Sequence, residues 1–235
     1  MELTNSFKTT SGVSLPLEKL PRTGVRQPGS ALTHLLGVFF ALTAAAPLLK
    51  KAGAATNRAA LPSCIIYLLS VLALYSASTL YHTFGSNAKS FLRLKRLDHC
   101  MVYALIAGTY TPLCLLGTAS RVGVPLLVVL VTFCILGMIF CIFFPRCPEW
   151  VTAVLYVLPG WCCVVALPSL CVCCPTVSLV LLFVGGIIYT VGALLYALKL
   201  PIYSRRHPYF GLHEVFHCFC LGGTFCHFLM IFFLL

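Results

Sequence analysis

The sequence has very little charge, and acidic residues are its scarcest feature. Only 9% of its 235 residues are charged, and only five of them are Asp or Glu. A water-soluble domain carries charge on roughly a quarter of its residues. With 60% hydrophobic residues and a mean hydropathy of +1.00, the chain is too apolar for a soluble enzyme or a disordered protein. We therefore expect its surface to face lipid.

Basic residues are the main charge that is present. Sixteen Lys and Arg give a formal net charge of +11, which in a soluble chain would suggest a nucleic-acid partner. Here the cations cluster between apolar runs, where they indicate membrane topology instead. The sequence thus predicts an integral membrane protein with no nucleic-acid partner.

The cysteines lack the spacing of a zinc finger. Most of the fourteen lie inside apolar stretches, where a thiol behaves as a small hydrophobic group. Cys171, Cys173 and Cys174, next to Pro175, offer soft-metal or disulfide chemistry, but no second pair stands at a matching distance. We expect the cysteines to be packing residues.

Seven windows are long and apolar enough to cross a bilayer, which needs about 20 residues per helix. Only Asp98 interrupts one of them. The fifth and sixth form a single stretch, in which Pro168 and Pro175 flank the expected hairpin. The fold class is therefore all-α, a seven-transmembrane helix bundle, with windows at 31–49, 59–84, 97–120, 122–145, 150–170, 176–198 and 215–235.

Two parts of the chain differ in composition. Residues 1–30 are polar and contain Pro16, Pro21 and Pro28, which predicts a mobile cytoplasmic tail. They show no apolar core followed by a cleavage site, so no cleavable signal peptide is expected. Residues 31–235 form the membrane domain, with no internal repeat and no separate soluble domain.

The distribution of basic residues predicts the orientation. Twelve Lys and Arg lie on the side of the N-terminus and four on the other side. Because short cytoplasmic loops are enriched in Lys and Arg, we expect a cytoplasmic N-terminus and an external C-terminus. The predicted location is the cell membrane, with multiple spans.

Ionisable side chains within spans are costly, and each is a candidate functional residue. In the predicted topology His82, Asp98 and His213 lie at the cytoplasmic ends of three different spans. His217 lies one turn beyond His213, on the same helix face. Four ionisable groups are thus expected at one depth.

This group is suited to a metal ion. His82, His213 and His217 with an open fourth position match a catalytic zinc, whose bound water has a pKa near 7. Asp98 would orient or deprotonate that water. Ser78, one turn before His82, would hydrogen-bond the water or a developing oxyanion.

Structural explanations exist for each residue taken alone. Histidines four residues apart also occur in packing, and an acid such as Asp98 in a first turn favours the helix dipole. His34 is a candidate to contact a metal ligand without binding the metal itself. His227 lies about 15 Å beyond His217 along the helix, so we expect it to hydrogen-bond across helices, and His99 is expected to be only a neighbour of the site.

Four motifs carry a resemblance to a known family, supported by Gly222, His227 and Phe228 and by Thr33-His34. They are Ser78-Thr-Leu-Tyr-His82, Leu97-Asp98-His99, Ile106-Ala-Gly-Thr-Tyr-Thr-Pro112 and His213-Glu-Val-Phe-His217. Over about residues 30–235 the chain resembles the hemolysin III group, which belongs with the progestin and adipoQ receptor (PAQR) family. It is more distantly similar to the alkaline ceramidases.

The resemblance implies a seven-helix bundle with a cytoplasmic N-terminus. It also implies zinc bound by His82, His213 and His217, with Asp98 at the zinc water and Ser78 beside it. Because the tail before residue 30 contains no recognisable receptor domain, the chain looks more like the short bacterial-type members than like the receptors.

Several functions fit this reading. We expect an enzyme, a zinc-dependent, ceramidase-like hydrolase of a membrane lipid amide or ester. Alternatives are a cytolytic protein, a receptor or signalling protein with a structural zinc, and a metalloprotease in which Glu214 of His213-Glu-x-x-His217 is the general base. If it is not a general base, Glu214 is, like His34, a candidate to contact a metal-binding histidine without binding the metal itself. A lipid is the expected substrate or ligand, and the oligomeric state is left open.

Overall fold

A computed structural model describes residues 6–8, 14–16, 25–84, 88–198 and 210–235. From residue 25 onward the described chain folds into eight α-helices and one 3₁₀ segment. They are α1 (Pro28–Ala54), α2 (Ala60–Thr83), α3 (Ala88–Leu116), α4 (Ser120–Phe143), α5 (Glu149–Gly160), the 3₁₀ segment Cys162–Ala166, α6 (Leu167–Cys173), α7 (Thr176–Leu198) and α8 (Leu212–Leu234). Because α5, the 3₁₀ segment and α6 together form one span, the described residues provide seven candidate spans. The predicted seven-helix architecture is confirmed.

The third span begins earlier than the sequence predicted. The apolar window starts at residue 97, whereas α3 starts at Ala88 and includes Lys89, Arg93 and Lys95. Lys and Arg are good helix formers and extend their charged ends into water, so they end a hydrophobic window without ending the helix. Asp98 therefore lies almost three turns inside α3, and the prediction that this helix starts at Asp98 is wrong.

The fifth span is broken, which the sequence did not predict. α5 ends at Gly160, and a 3₁₀ segment leads to α6, whose second residue is Pro168. Proline has no N–H and its ring clashes with the carbonyl four residues earlier. The hydroxyl of Tyr110 in α3 bridges the break, because it donates to Gly160 O at 2.8 Å and accepts from Cys163 N–H at 2.8 Å. The hairpin itself lies at Cys174–Pro175, so Pro168 belongs to α6 and not to the turn.

The predicted tail falls mostly outside the described residues. Within it the structure gives two paired three-residue strands, β1 (Ser6–Lys8) and β2 (Ser14–Pro16), with Ser6 opposite Pro16. α1 begins at Pro28, three residues before the predicted boundary, because proline is well suited to the first position of a helix. Residues 28–30 of the predicted tail are therefore part of α1, and Ser30 is buried.

The outside of the bundle is apolar, as lipid contact requires. Phe39, Val129, Leu136 and Val184 are among many large hydrophobic side chains on the exposed surface. Helices approach closely at small residues, for example at Gly137, which faces the ring of Tyr103. Small residues serve this purpose in membrane helices because van der Waals packing, rather than exclusion of water, holds the spans together.

All fourteen cysteines lie in the described ranges, and each has a free thiol. Cys64, Cys134 and Cys163 are core residues, which agrees with the expectation that thiols serve as small apolar groups. Cys171 and Cys173 are exposed.

Candidate metal centre

Three histidines from two helices meet at one end of the bundle. His82 is the penultimate residue of α2, and His213 and His217 lie one turn apart at the start of α8. One ligand nitrogen from each ring falls within 4.8 Å of the other two. The Nε2 atoms of His82 and His213 are 3.4 Å apart. The structure thus brings together the three residues that the sequence proposed as metal ligands.

The remaining ring nitrogens of two of these histidines contact the α1 region. His82 Nδ1 lies 2.6 Å from Gln27 Oε1, and His217 Nδ1 lies 3.0 Å from Thr33 Oγ1. Both His82 and His217 are almost completely buried. The rings are therefore held by hydrogen bonds on the side away from the cluster.

His34 contacts the cluster through its ring face. It stacks on His217 with a centroid distance of 3.5 Å and an interplanar angle of 24°, and the edge of Tyr75 packs against it at 5.1 Å. Neither nitrogen of His34 has a hydrogen-bond partner among the described residues. His34 thus contacts the candidate ligand His217 by stacking and not by hydrogen bonding.

Glu214 points away from the cluster. Its Oε1 accepts a hydrogen bond from the Ser30 hydroxyl, and its Oε2 accepts one from Gly211 N–H at 2.7 Å. The second bond caps the start of α8, because Glu214 at the third helical position accepts from the N–H of the residue before the helix, and the first ties α8 to α1. Because both oxygens are used in this way, the geometry does not favour Glu214 as the general base of a metalloprotease.

Asp98 and Ser78 line the same cavity as the three histidines. Ser78 is fully buried, and its hydroxyl lies beside the Asp98 carboxylate. The close group that the described side chains form contains the three imidazoles and does not include the Asp98 carboxylate. Asp98 therefore lines the cavity without being a member of the histidine group.

The cluster opens into a large cavity of about 680 Å³ between α2, α3, α5, α7 and α8. Its lining is mostly apolar and reaches Trp161, Leu182 and His227 at the far end. His227 Nε2 lies 3.3 Å from Leu182 O in α7, so the predicted hydrogen bond across helices is confirmed. His99 also lines the cavity. A ligand in this cavity would have a polar site at one end and an apolar chamber beyond it.

Sequence reasoning missed the contribution of α1 to this site. The composition places Gln27 and Ser30 in the tail, and Thr33 enters only through the Thr33-His34 resemblance. The available signal is a run of polar residues at the start of an otherwise apolar helix: Gln27 directly before α1, and Ser30, Thr33 and His34 within its first two turns. Their spacing places them on neighbouring positions of one helix face.

The fold and the site define an integral membrane protein of seven spans, with a buried histidine cluster above an apolar cavity. Residues 25–228 match the family described as Haemolysin-III related. A "Hemolysin-3 homolog" of Bacillus subtilis (strain 168) is 32% identical over 204 residues, which cover 87% of this chain and 92% of that protein. "Hemolysin-3" of Bacillus cereus is 33% identical over 195 residues, covering 83% and 85%.

The chain belongs to the Haemolysin-III related family. Its seven spans and its relatives make it a multi-pass protein of the cell membrane.

Proposed function

We propose that this protein is a zinc-dependent hydrolase of a membrane lipid amide or ester. The observation that carries the proposal is the meeting of three imidazoles, from α2 and α8, at the polar end of a largely apolar cavity. Such a cavity accommodates an acyl chain, and its polar end would then receive the bond to be cleaved.

The geometry of the histidines fits zinc. Zn–N bonds of about 2.0–2.1 Å in a tetrahedral site place two ligand nitrogens roughly 3.3–3.4 Å apart. The Nε2 atoms of His82 and His213 are 3.4 Å apart. This separation is compatible with two nitrogens that share one zinc ion. Three imidazoles with an open fourth position are typical of a catalytic site.

Bound zinc would supply a water of lowered pKa and polarise the scissile carbonyl. Asp98 would accept the proton of the attacking water and return it to the leaving amine or alcohol as the acyl bond breaks, since it lines the cavity without belonging to the histidine group. The Ser78 hydroxyl, which lines the cavity, would donate a hydrogen bond to the carbonyl oxygen as negative charge develops. The apolar walls would position the acyl chain and exclude bulk water.

The test of the proposal compares the native protein with Asp98→Asn. The carboxamide keeps the shape of Asp98 but cannot take up a proton, so we expect turnover to fall by about 10²–10⁴-fold with zinc still bound. The measurement is untargeted lipid profiling of membranes containing either form, with metal analysis of the purified proteins. Full activity of the Asp98→Asn variant on the native substrate would contradict the proposed role of Asp98.

The name of the Bacillus cereus relative favours a second candidate, a cytolytic protein. Dye-loaded phosphatidylcholine vesicles containing the purified protein distinguish the two functions. Leakage that survives replacement of all three histidines by alanine would support direct lysis, because zinc chemistry could not cause it. A receptor with a structural zinc would bind the metal and form no lipid product.

A further inference from the structure

His82 and His217 each form a hydrogen bond through Nδ1, and both partners lie at the start of α1. Gln27 precedes α1 and contacts His82, 55 residues away, and Thr33 contacts His217, 184 residues away. Metal-bound histidines usually donate their second ring N–H to such a partner, which fixes the tautomer and the ring orientation.

The direction of the bond at Thr33 can be assigned. The hydroxyl of Thr33 lies 3.0 Å from Gly29 O and 2.9 Å from Ser30 O, and carbonyl oxygens only accept hydrogen bonds. We infer that the single hydroxyl proton is used within α1 and that Oγ1 accepts the bond from His217. His217 thus carries its proton on Nδ1, which leaves a lone pair on Nε2.

Gln27 fixes the tautomer of His82 in the same way, by accepting a hydrogen bond from Nδ1. Its Oε1 is an acceptor, so His82 donates from Nδ1 and Nε2 keeps a lone pair, directed toward His213. The segment is itself fixed on the end of α2. Gln27 N–H donates to His82 O at 3.0 Å, and Arg26 donates from its backbone to Thr83 O at 3.3 Å and from its guanidinium to Tyr81 O at 2.8 Å.

We propose that Gln27 and Thr33 are positioning residues of the metal site, which hold His82 and His217 in the metal-binding tautomer and thereby set the affinity for a divalent cation. This inference depends on the zinc site of the proposed function. It assigns to the start of the first span a role in the site beyond helix packing.

The test uses near-isosteric variants that remove only the acceptor. Thr33→Val and Gln27→Met should each weaken Zn²⁺ binding by roughly 10- to 100-fold. Thr33→Ser and Gln27→Glu keep an acceptor oxygen and should restore most of the affinity. The measurements are chelator competition for Zn²⁺ and the visible spectrum of the Co²⁺-loaded protein in detergent, with thermal unfolding of the metal-free forms.

Thr43→Val is the matched control. Thr43 lies on the same helix, and its hydroxyl contacts Phe39 O at 2.9 Å and Phe40 O at 3.0 Å, the same local pattern as Thr33 without a histidine. This variant should leave both the Zn²⁺ affinity and the Co²⁺ spectrum unchanged. An equal loss of affinity in Thr43→Val would show that the effect comes from the helix, and would overturn the inference.

The two proposals fail in different ways. If His82→Ala and His217→Ala lose zinc while Thr33→Val and Gln27→Met bind it like the native protein, the metal site stands and the positioning role is wrong. Failure of Thr33→Ser to restore affinity would also contradict the role. If the native protein binds Zn²⁺ no better than His217→Ala, the proposed function itself fails.

Discussion

The ring nitrogens of the histidines at the site fall into two groups, those with hydrogen-bond partners and those without. Those of His82 and His217 are divided between an acceptor in the α1 region and the cluster, whereas those of His34 have no partner among the described residues. An unpaired polar group in a buried position costs free energy. Such groups at one end of the bundle therefore indicate a site for a ligand rather than a packing core.

We expect replacement of His217 and of His227, both on α8, to affect the bound zinc differently. His217→Ala should reduce bound zinc from about one per chain toward zero, because it removes a ligand. His227→Ala should leave the zinc content unchanged, since that ring lies about 15 Å away along the helix and contacts Leu182 O. Metal analysis of both purified variants makes the comparison. Equal loss of zinc from both would mean that α8 is unfolded or that the site lies elsewhere.

Among the helical elements, the broken fifth span differs most from an ordinary transmembrane helix. Non-helical backbone at membrane depth is tolerated only where protein or a water-filled cavity covers it. Here a single hydroxyl, from Tyr110, pairs with a carbonyl and an N–H at the break, and Gly160 and Trp161 next to it line the cavity. The break thus shapes the chamber in which the acyl chain is expected to bind.

Tyr110→Phe should destabilise the protein by about 1–3 kcal/mol, because it leaves the Gly160 carbonyl and the Cys163 N–H without their partner. Tyr103→Phe is the matched control. Tyr103 is equally buried, but its hydroxyl has no hydrogen-bond partner among the described residues, so the change should be nearly neutral. Unfolding free energies in mixed micelles test the pair. Equal stability of the two variants would show that the Tyr110 hydroxyl does not support the break.

For the whole molecule, the orientation in the membrane stays a prediction. The excess of Lys and Arg in alternate loops favours a cytoplasmic N-terminus. The histidine cluster, at the end of α2 and the start of α8, would then lie near the cytoplasmic face. A lipid substrate would therefore be cleaved at the inner leaflet.

This orientation can be measured with two C-terminal fusions. Because the C-terminus is expected outside the cytoplasm, an alkaline phosphatase fusion should be active and a green fluorescent protein fusion should be dark. The same two reporters placed after Phe84, between α2 and α3, should give the opposite result, since that connection is expected inside. A fluorescent C-terminal fusion would show that the topology is the opposite of the predicted one, with the cluster at the outer face.

The sequence alone determined the seven spans and proposed the candidate ligands His82, His213 and His217. It could do so because bilayer thickness sets a helix length, and because residues one turn apart on a helix share a face. These are properties of neighbouring residues. They do not depend on how the helices pack.

Only the tertiary structure decided which side chains support the cluster. Gln27 beside His82, Thr33 beside His217, and the use of both Glu214 oxygens at Ser30 and Gly211 depend on the rotation of α1 against α2 and α8. The break after Gly160 likewise needed Tyr110 of another span. Helix rotation and tilt follow from packing between residues far apart in the chain, and hydropathy, which is summed along the chain, contains no information about it.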